Sequence, residues 1–319
     1  SILLGAYAMR EPYILTFSAF ALWGFSNFGV QERRRGAVAT LAPASNGIPY
    51  GHDEPFDSKK SAYFWLGLGI VGMMLVSTPA ALITIVILAG WLFFANEKRQ
   101  LSWTVMILIT AVFVFGLVFL SLSLNRSGQF DASSPLRVVN GWLKSTISLT
   151  YYRAEGESGW VQKILGDRFG DGGYEPSWYR LPFITGYGVF QPVLPATLIY
   201  PTKPIWRIIG IARAAGWYGL LPMLILSFVA AAGSASRTTH TERRRSIILW
   251  LSLVTWLWIL LAALRAGGDL WDNPRYRAIL FVWQSILAGW VWVWWRETRN
   301  VWFVRLLACE AVFLLIFTQ

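Results

Sequence analysis

Residues Ile247–Leu264 read IILWLSLVTWLWILLAAL, eighteen positions without a charge, a glycine or a proline. A helix rising about 1.5 Å per residue carries such a run through roughly 27 Å, close to the ~30 Å hydrocarbon thickness of a bilayer. Arg243-Arg244-Arg245 stands just before it and Arg265 just after. The stretch reads as a membrane-crossing helix, and the rest of the chain follows the same logic.

The 319 residues are 55% hydrophobic and 14% charged, with a mean hydropathy of +0.47. That balance excludes a soluble globular enzyme, a disordered chain and a disulfide scaffold. The 28 Lys+Arg outnumber the 17 Asp+Glu, but they sit in short clusters between apolar spans and form no patch interleaved with aromatics. A positive-inside bias explains them and a nucleic-acid partner does not. Cys309 is the only cysteine, so the chain holds neither an internal disulfide nor a thiolate cluster. His52 and His240 are the only histidines and fall in polar segments, so haem or chlorophyll bound through histidine within the membrane is not expected.

Working outward from Ile247–Leu264, Arg265–Arg277 (RAGGDLWDNPRYR) is a short outer loop. Ala278–Trp295 then returns, and Val301–Phe317 leaves after the basic Arg296–Arg299 turn. Upstream, Trp217–Gly233 crosses to the basic side after a short interfacial helix, Ile205–Gly216. Leu181–Pro204 holds five prolines and two glycines and is predicted to be re-entrant rather than a regular lipid-facing helix. Asn125–Arg180 is a polar extracytoplasmic region of 56 residues with seven basic and six acidic side chains, and Ser102–Leu124 is a full span leading to it. Ala62–Ala95 is too long for one crossing and is broken at Ser77-Thr78-Pro79, so it is expected to form a hairpin. Tyr13–Val30 is the first span, ending at Gln31-Glu32-Arg33-Arg34-Arg35 and a polar loop. The four strongest basic clusters all fall on one side under this alternation. The expected fold is all-α: a single transmembrane domain over residues 1–319, a polytopic bundle of about eight helical segments with residues 125–180 as an outer insertion. Tryptophans such as Trp217 and Trp290, Trp292, Trp294 and Trp295 are expected to form an interfacial anchoring belt.

Gly67-Leu68-Gly69-Ile70-Val71-Gly72 spells a dinucleotide-binding fingerprint, but it lies inside a span with no preceding strand, and close helix packing explains it better. Arg10-Glu11-Pro12 marks the outer start of the first span and has two readings. One is an interfacial ion pair at a helix N-terminus. The other is a site in which Arg10 holds a phosphate and Glu11 accepts a proton or binds a cation. Arg275-Tyr276-Arg277, preceded by Asp269, Asp272, Asn273 and Pro274, also enters a helix from the outer side. Its arginines either pair with the loop aspartates or fork onto phosphate oxygens. Asp167–Gly173 is a glycine-rich turn without EF-hand spacing. No metal-ligand motif is assigned; a divalent cation is left open. The sequence starts at Ser1 without methionine and without a signal-peptide pattern, and an earlier N-terminal segment is expected to precede it.

Three stretches, AMREPYILTFSAFALWGF (Ala8–Phe25), LPFITGYGVFQPVLPATL (Leu181–Leu198) and DNPRYRAILFVWQSILAGW (Asp272–Trp290), together resemble bacterial polytopic proteins related to polyprenyl-phosphate-sugar glycosyltransferases of the GT-C class. Some of those are oligosaccharide-repeat polymerases. The resemblance implies a multi-pass protein of the bacterial inner membrane. Its active site would face outward and take a polyprenyl-phosphate sugar from the surrounding membrane lipids. In that class an acidic residue of an early outer loop acts as base; that loop is not identifiable here. Carried onto this chain, Glu11 or Asp272 would activate the acceptor. Arg275 and Arg277, with Tyr276 between them and Arg10 assisting, would bind and neutralise the phosphate. The alternative is a non-catalytic scaffold subunit that docks membrane-protein partners through residues 125–180. A transporter ranks third, because the sequence reading finds no internal repeat and no ionisable residue at mid-membrane.

Overall fold

The computed structural model describes residues 10–41, 57–96, 103–126, 180–190, 204–233, 239–266 and 276–317. They are almost entirely helical, and no strand occurs among them. Among the described residues, three helices are long and apolar enough to cross a membrane: Thr78–Ala95, Arg207–Ala232 and Glu242–Leu264. The chain divides into two compact units, Ser1–Val86 and Ile87–Gln319.

The first unit contains α1 (Arg10–Leu41), α2 (Asp57–Val76) and the start of α3 (Thr78–Ala95). Helix α1 runs past the predicted end of the first span and through Gln31–Arg35, because Gln, Glu, Arg and Ala are all good helix formers. Helices α1 and α2 pack along each other at backbone contact distance. A Cβ on Gly24 would lie 2.5 Å from the Ala62 carbonyl oxygen, and one on Gly69 would lie 2.5 Å from the Ala21 backbone nitrogen. Only glycine permits so close an approach, which bears out the packing reading of Gly69; Gly72 is likewise closed over by the Phe17 ring. Gly67 differs, since nothing lies within 4 Å of its Cβ position.

Ser77 alone breaks the run between α2 and α3. The hydroxyls of Ser18 and Thr84 both donate to the Met73 sulfur, at 3.2 and 3.7 Å. Met73 and Thr84 are eleven residues apart, or roughly 16 Å along a straight helix. The chain therefore bends sharply at Ser77, although α2 packs along α1 rather than along α3 as the expected hairpin would require. Pro79 is the second residue of α3, where its missing N–H removes only a donor that has no intrahelical partner.

The second unit holds the rest of α3 with α4 (Trp103–Arg126), α5 (Arg180–Phe190), α6 (Pro204–Gly233), α7 (Thr239–Ala266), α8 (Phe281–Thr298) and α9 (Val301–Phe317). Helix α6 is its centre and packs on α7, α8 and α9, while α7 also contacts α5 and α8. The predicted interfacial helix and the following span are one continuous α6, with Pro222 inside it. The Ser227 and Ser252 hydroxyls meet at 2.9 Å between α6 and α7, and the Trp256 indole donates to the Leu224 carbonyl. Buried Leu226, Val291 and Phe303 join α6, α8 and α9, with Trp290, Trp294 and Trp295 packed against them.

The tryptophan belt is thus only partly an outward feature. Trp292 is exposed, but Trp217 is buried and acts as a hydrogen-bond donor inside the unit. Of the predicted re-entrant segment, its first part forms the regular helix α5, with Pro182 in the opening turn; residues 191–203 lie outside the described set. Most of the outer insertion does too.

Arg245, the last residue of the Arg243–Arg245 cluster, donates through Nε and Nη2 to the carbonyls of Ala231 and Ala232. These belong to the last turn of α6, where carbonyls lack helical partners and the dipole favours a cation. Arg245→Met is expected to lower unfolding stability by about 1 kcal/mol, measurable by denaturant titration in detergent micelles. A loss no larger than that of the neighbouring Arg244→Met would remove the capping role.

Candidate functional site

The short helix α5 ends at Phe190, inside the second unit, and its last carbonyls need donors that the helix cannot supply. Three side chains from elsewhere in the sequence provide them. Trp217 Nε1 donates to the Val189 carbonyl at 2.8 Å, and the Tyr218 hydroxyl donates to the Phe190 carbonyl at 2.7 Å. Arg277 Nη1 donates to the same Val189 oxygen at 2.8 Å. The guanidinium carbon also lies over the Trp217 ring, 3.8 Å from its centroid, where the ring quadrupole attracts a cation.

The backbone around Arg277 is held as well. Trp258 Nε1 donates to the Tyr276 carbonyl at 2.9 Å, and Gln284 Nε2 donates to the Arg277 carbonyl at 3.1 Å. Tyr276–Ala278 is therefore a helical turn clamped from α7 and α8 before α8 begins. Only 2% of Arg277 is exposed. Burial pulls its guanidinium down to about 9, against the opposing influence of Tyr218, so it remains a cation at neutral pH. A buried cation of this kind is stable only where dipoles face it, and the carbonyl end of α5 supplies them.

Among the other predicted site residues, Arg10 opens α1 and Glu11 is half-buried in its first turn, next to Pro12, in the first unit. Tyr276 is half-buried beside Arg277. Asp272 and Arg275 lie outside the described residues. The structure joins Arg277 to two aromatic side chains and a carbonyl that sequence reading did not pair with it. The one available signal was the adjacent Trp217-Tyr218, two hydrogen-bonding aromatics in succession. Among the described residues no group of three or more His, Cys, Asp or Glu could hold a metal.

One ionisable residue stands in the middle of an apolar helix, outside the three helices long and apolar enough to cross a membrane. Glu310 is the tenth of the seventeen residues of α9, between Cys309 and Ala311. One acid hardly alters the character of so apolar a run, which is why span counting passes over it. No family model, curated protein or solved structure matches the chain.

Proposed function

We propose that this chain is a multi-pass protein of the bacterial inner membrane that transfers a sugar or oligosaccharide from a polyprenyl-phosphate carrier at the extracytoplasmic face. The observation that supports this reading is the Arg277–Val189 hydrogen bond. It ties the Leu181–Leu198 stretch to the Asp272–Trp290 stretch, two of the three on which the glycosyltransferase resemblance rests. Arg277, being buried and engaged, positions the turn that begins α8. Arg275, two residues earlier, is assigned to the phosphate, with Tyr276 alongside. Asp272 or Glu11 is assigned to deprotonating the acceptor hydroxyl, and Arg10 to assisting the phosphate. Arginine suits the phosphate role because its planar fork matches two oxygens at once.

Transfer of labelled sugar from a polyprenyl-phosphate donor by the purified protein tests this. Arg275→Ala is expected to lower turnover at least ~100-fold, the scale of losing one electrostatic contact to a departing group. Turnover equal to wild type would withdraw the role of Arg275. A second reading, a non-catalytic scaffold subunit, is favoured by the structural use of Arg277, which joins α5 to the turn before α8. Purification from native membranes separates the two. A stoichiometric partner held through residues 125–180 supports the scaffold, and a monomer carrying a polyprenyl lipid supports transfer.

A further inference from the structure

Helix α9 shows a one-sided arrangement. Phe303 is buried, and Leu306 and Glu310 are half-buried, three and seven positions further on, so all three share one face. That face packs against α6 and the Trp295 ring of α8. Trp302, Val304, Leu307, Cys309 and Val312 look outward. Glu310 thus lies on the packed face, about 14 Å along the axis from Val301 and about 10 Å from Phe317. Its Oε1 is completely buried and has no hydrogen-bond partner among the described residues.

The surrounding charges do not compensate it. On α6, Arg207 and Arg213 are exposed near the start of the helix, and the Tyr218 hydroxyl is donated to Phe190. On α8, Arg296 and Glu297 are exposed in the last turn. On α9 itself, Arg305 lies over the Trp302 ring, 5.1 Å from its centroid. No ion pair among the described residues reaches Glu310. An ionised carboxylate without a partner, in a medium that cannot solvate it, is among the most costly arrangements a helix can bury. The neutral acid removes most of that cost.

We infer that Glu310 is a proton-binding site within the membrane, a carboxylic acid on the packed face of α9 that is reactive to hydrophobic carbodiimides. The inference rests on the multi-pass reading above, which places α9 in the bilayer. The chemistry is an addition. The carboxyl proton goes to a carbodiimide nitrogen while the carboxyl oxygen bonds to the central carbon. An oxygen-to-nitrogen acyl shift then gives a stable N-acylurea, with no leaving group and no redox change. Ionised carboxylates in water lack that proton and meet little of a reagent that partitions into lipid.

The test uses the full chain reconstituted in phosphatidylethanolamine–phosphatidylglycerol vesicles and treated near neutral pH with dicyclohexylcarbodiimide. The wild type is expected to gain one adduct mapped by mass spectrometry to Glu310, and Glu310→Gln to gain none there. A water-soluble carbodiimide should not modify that position. Cys309, the only cysteine and the adjacent residue, reports where α9 lies. If an impermeant maleimide labels Cys309 from the aqueous phase of vesicles carrying both orientations, α9 is not embedded and the multi-pass reading falls. If Cys309 is shielded from it yet labelled by a lipid-soluble maleimide, and Glu310 still takes no carbodiimide, the proton-site inference is overturned by itself. A Glu310→Gln variant that fails to insert would be revealed by its own Cys309 labelling, and Glu310→Asp, expected to keep the adduct, then decides.

Discussion

Arg277→Ala is expected to lower the unfolding free energy by about 3 kcal/mol, the largest effect of any single substitution considered. A hydrogen bond from a charged donor contributes roughly 1.5–3 kcal/mol. The guanidinium over Trp217 adds as much as about 2 when desolvated. Against these stands the relief of no longer burying a cation, which keeps the net below their sum. The Val189 carbonyl retains Trp217 as a donor, so what is lost is the clamp joining α5 to the turn before α8. Arg277→Lys should recover less than half of the loss, because an ammonium can donate to the carbonyl but has no planar guanidinium to set over the indole. Denaturant unfolding in micelles measures all three proteins. An alanine variant within about 0.5 kcal/mol of wild type, the usual range for an uninvolved surface position, would mean that the cap holds nothing together.

Gly69→Ala should come next, with a net loss of up to about 2 kcal/mol from a single methyl group. The added carbon would sit 2.5 Å from the Ala21 nitrogen and 2.6 Å from the Phe17 oxygen. Both are backbone atoms of α1 and cannot swing aside as a side chain would, so the two helices must part. Overpacking of this kind costs about 1–3 kcal/mol. Against it, alanine's better helix propensity returns roughly 1 kcal/mol where the helix is otherwise undisturbed. Gly67→Ala, two residues away with open space at its Cβ position, isolates that second effect and should be neutral or slightly stabilising. Equal stabilities for the two alanine variants would show that α1 and α2 are not in backbone contact in solution.

The two variants also show where sequence reading stops. Gly67, Gly69 and Gly72 form one motif in the letters, and small residues in a span are reason enough to expect a packed face. Helical geometry rotates Gly67 away by about 200° from Gly69, since two residues are little more than half a turn. Which of the two meets α1 depends on how the neighbouring helix lies, and no local pattern contains that. The same limit governs the site. The placement of Arg277 at the start of a helix was legible from Asp272-Asn273-Pro274 and the apolar run that follows. Its partner at Val189 is 88 residues away, and a backbone carbonyl has no sequence signature.

From composition and pattern alone came the all-helical character, the apolar lengths of the helices able to cross a membrane, the break at Ser77 and the single cysteine that rules out an internal disulfide. These properties depend on residues within one or two helical turns, on total hydrophobicity or on simple counts, all of which can be read along the chain. Tertiary structure decided which arginines face helix ends: Arg245 closes α6 and Arg277 closes α5, although one belongs to a basic cluster and the other to an outer-loop motif. It also decided that Trp217 is an internal donor and that Glu310 turns toward the packed side of its helix. The physical reason is common to all four. The unsatisfied carbonyls of a helix end and the packed face of a span come into being only when distant segments meet, and a polar side chain's role is set by what that meeting leaves unpaired.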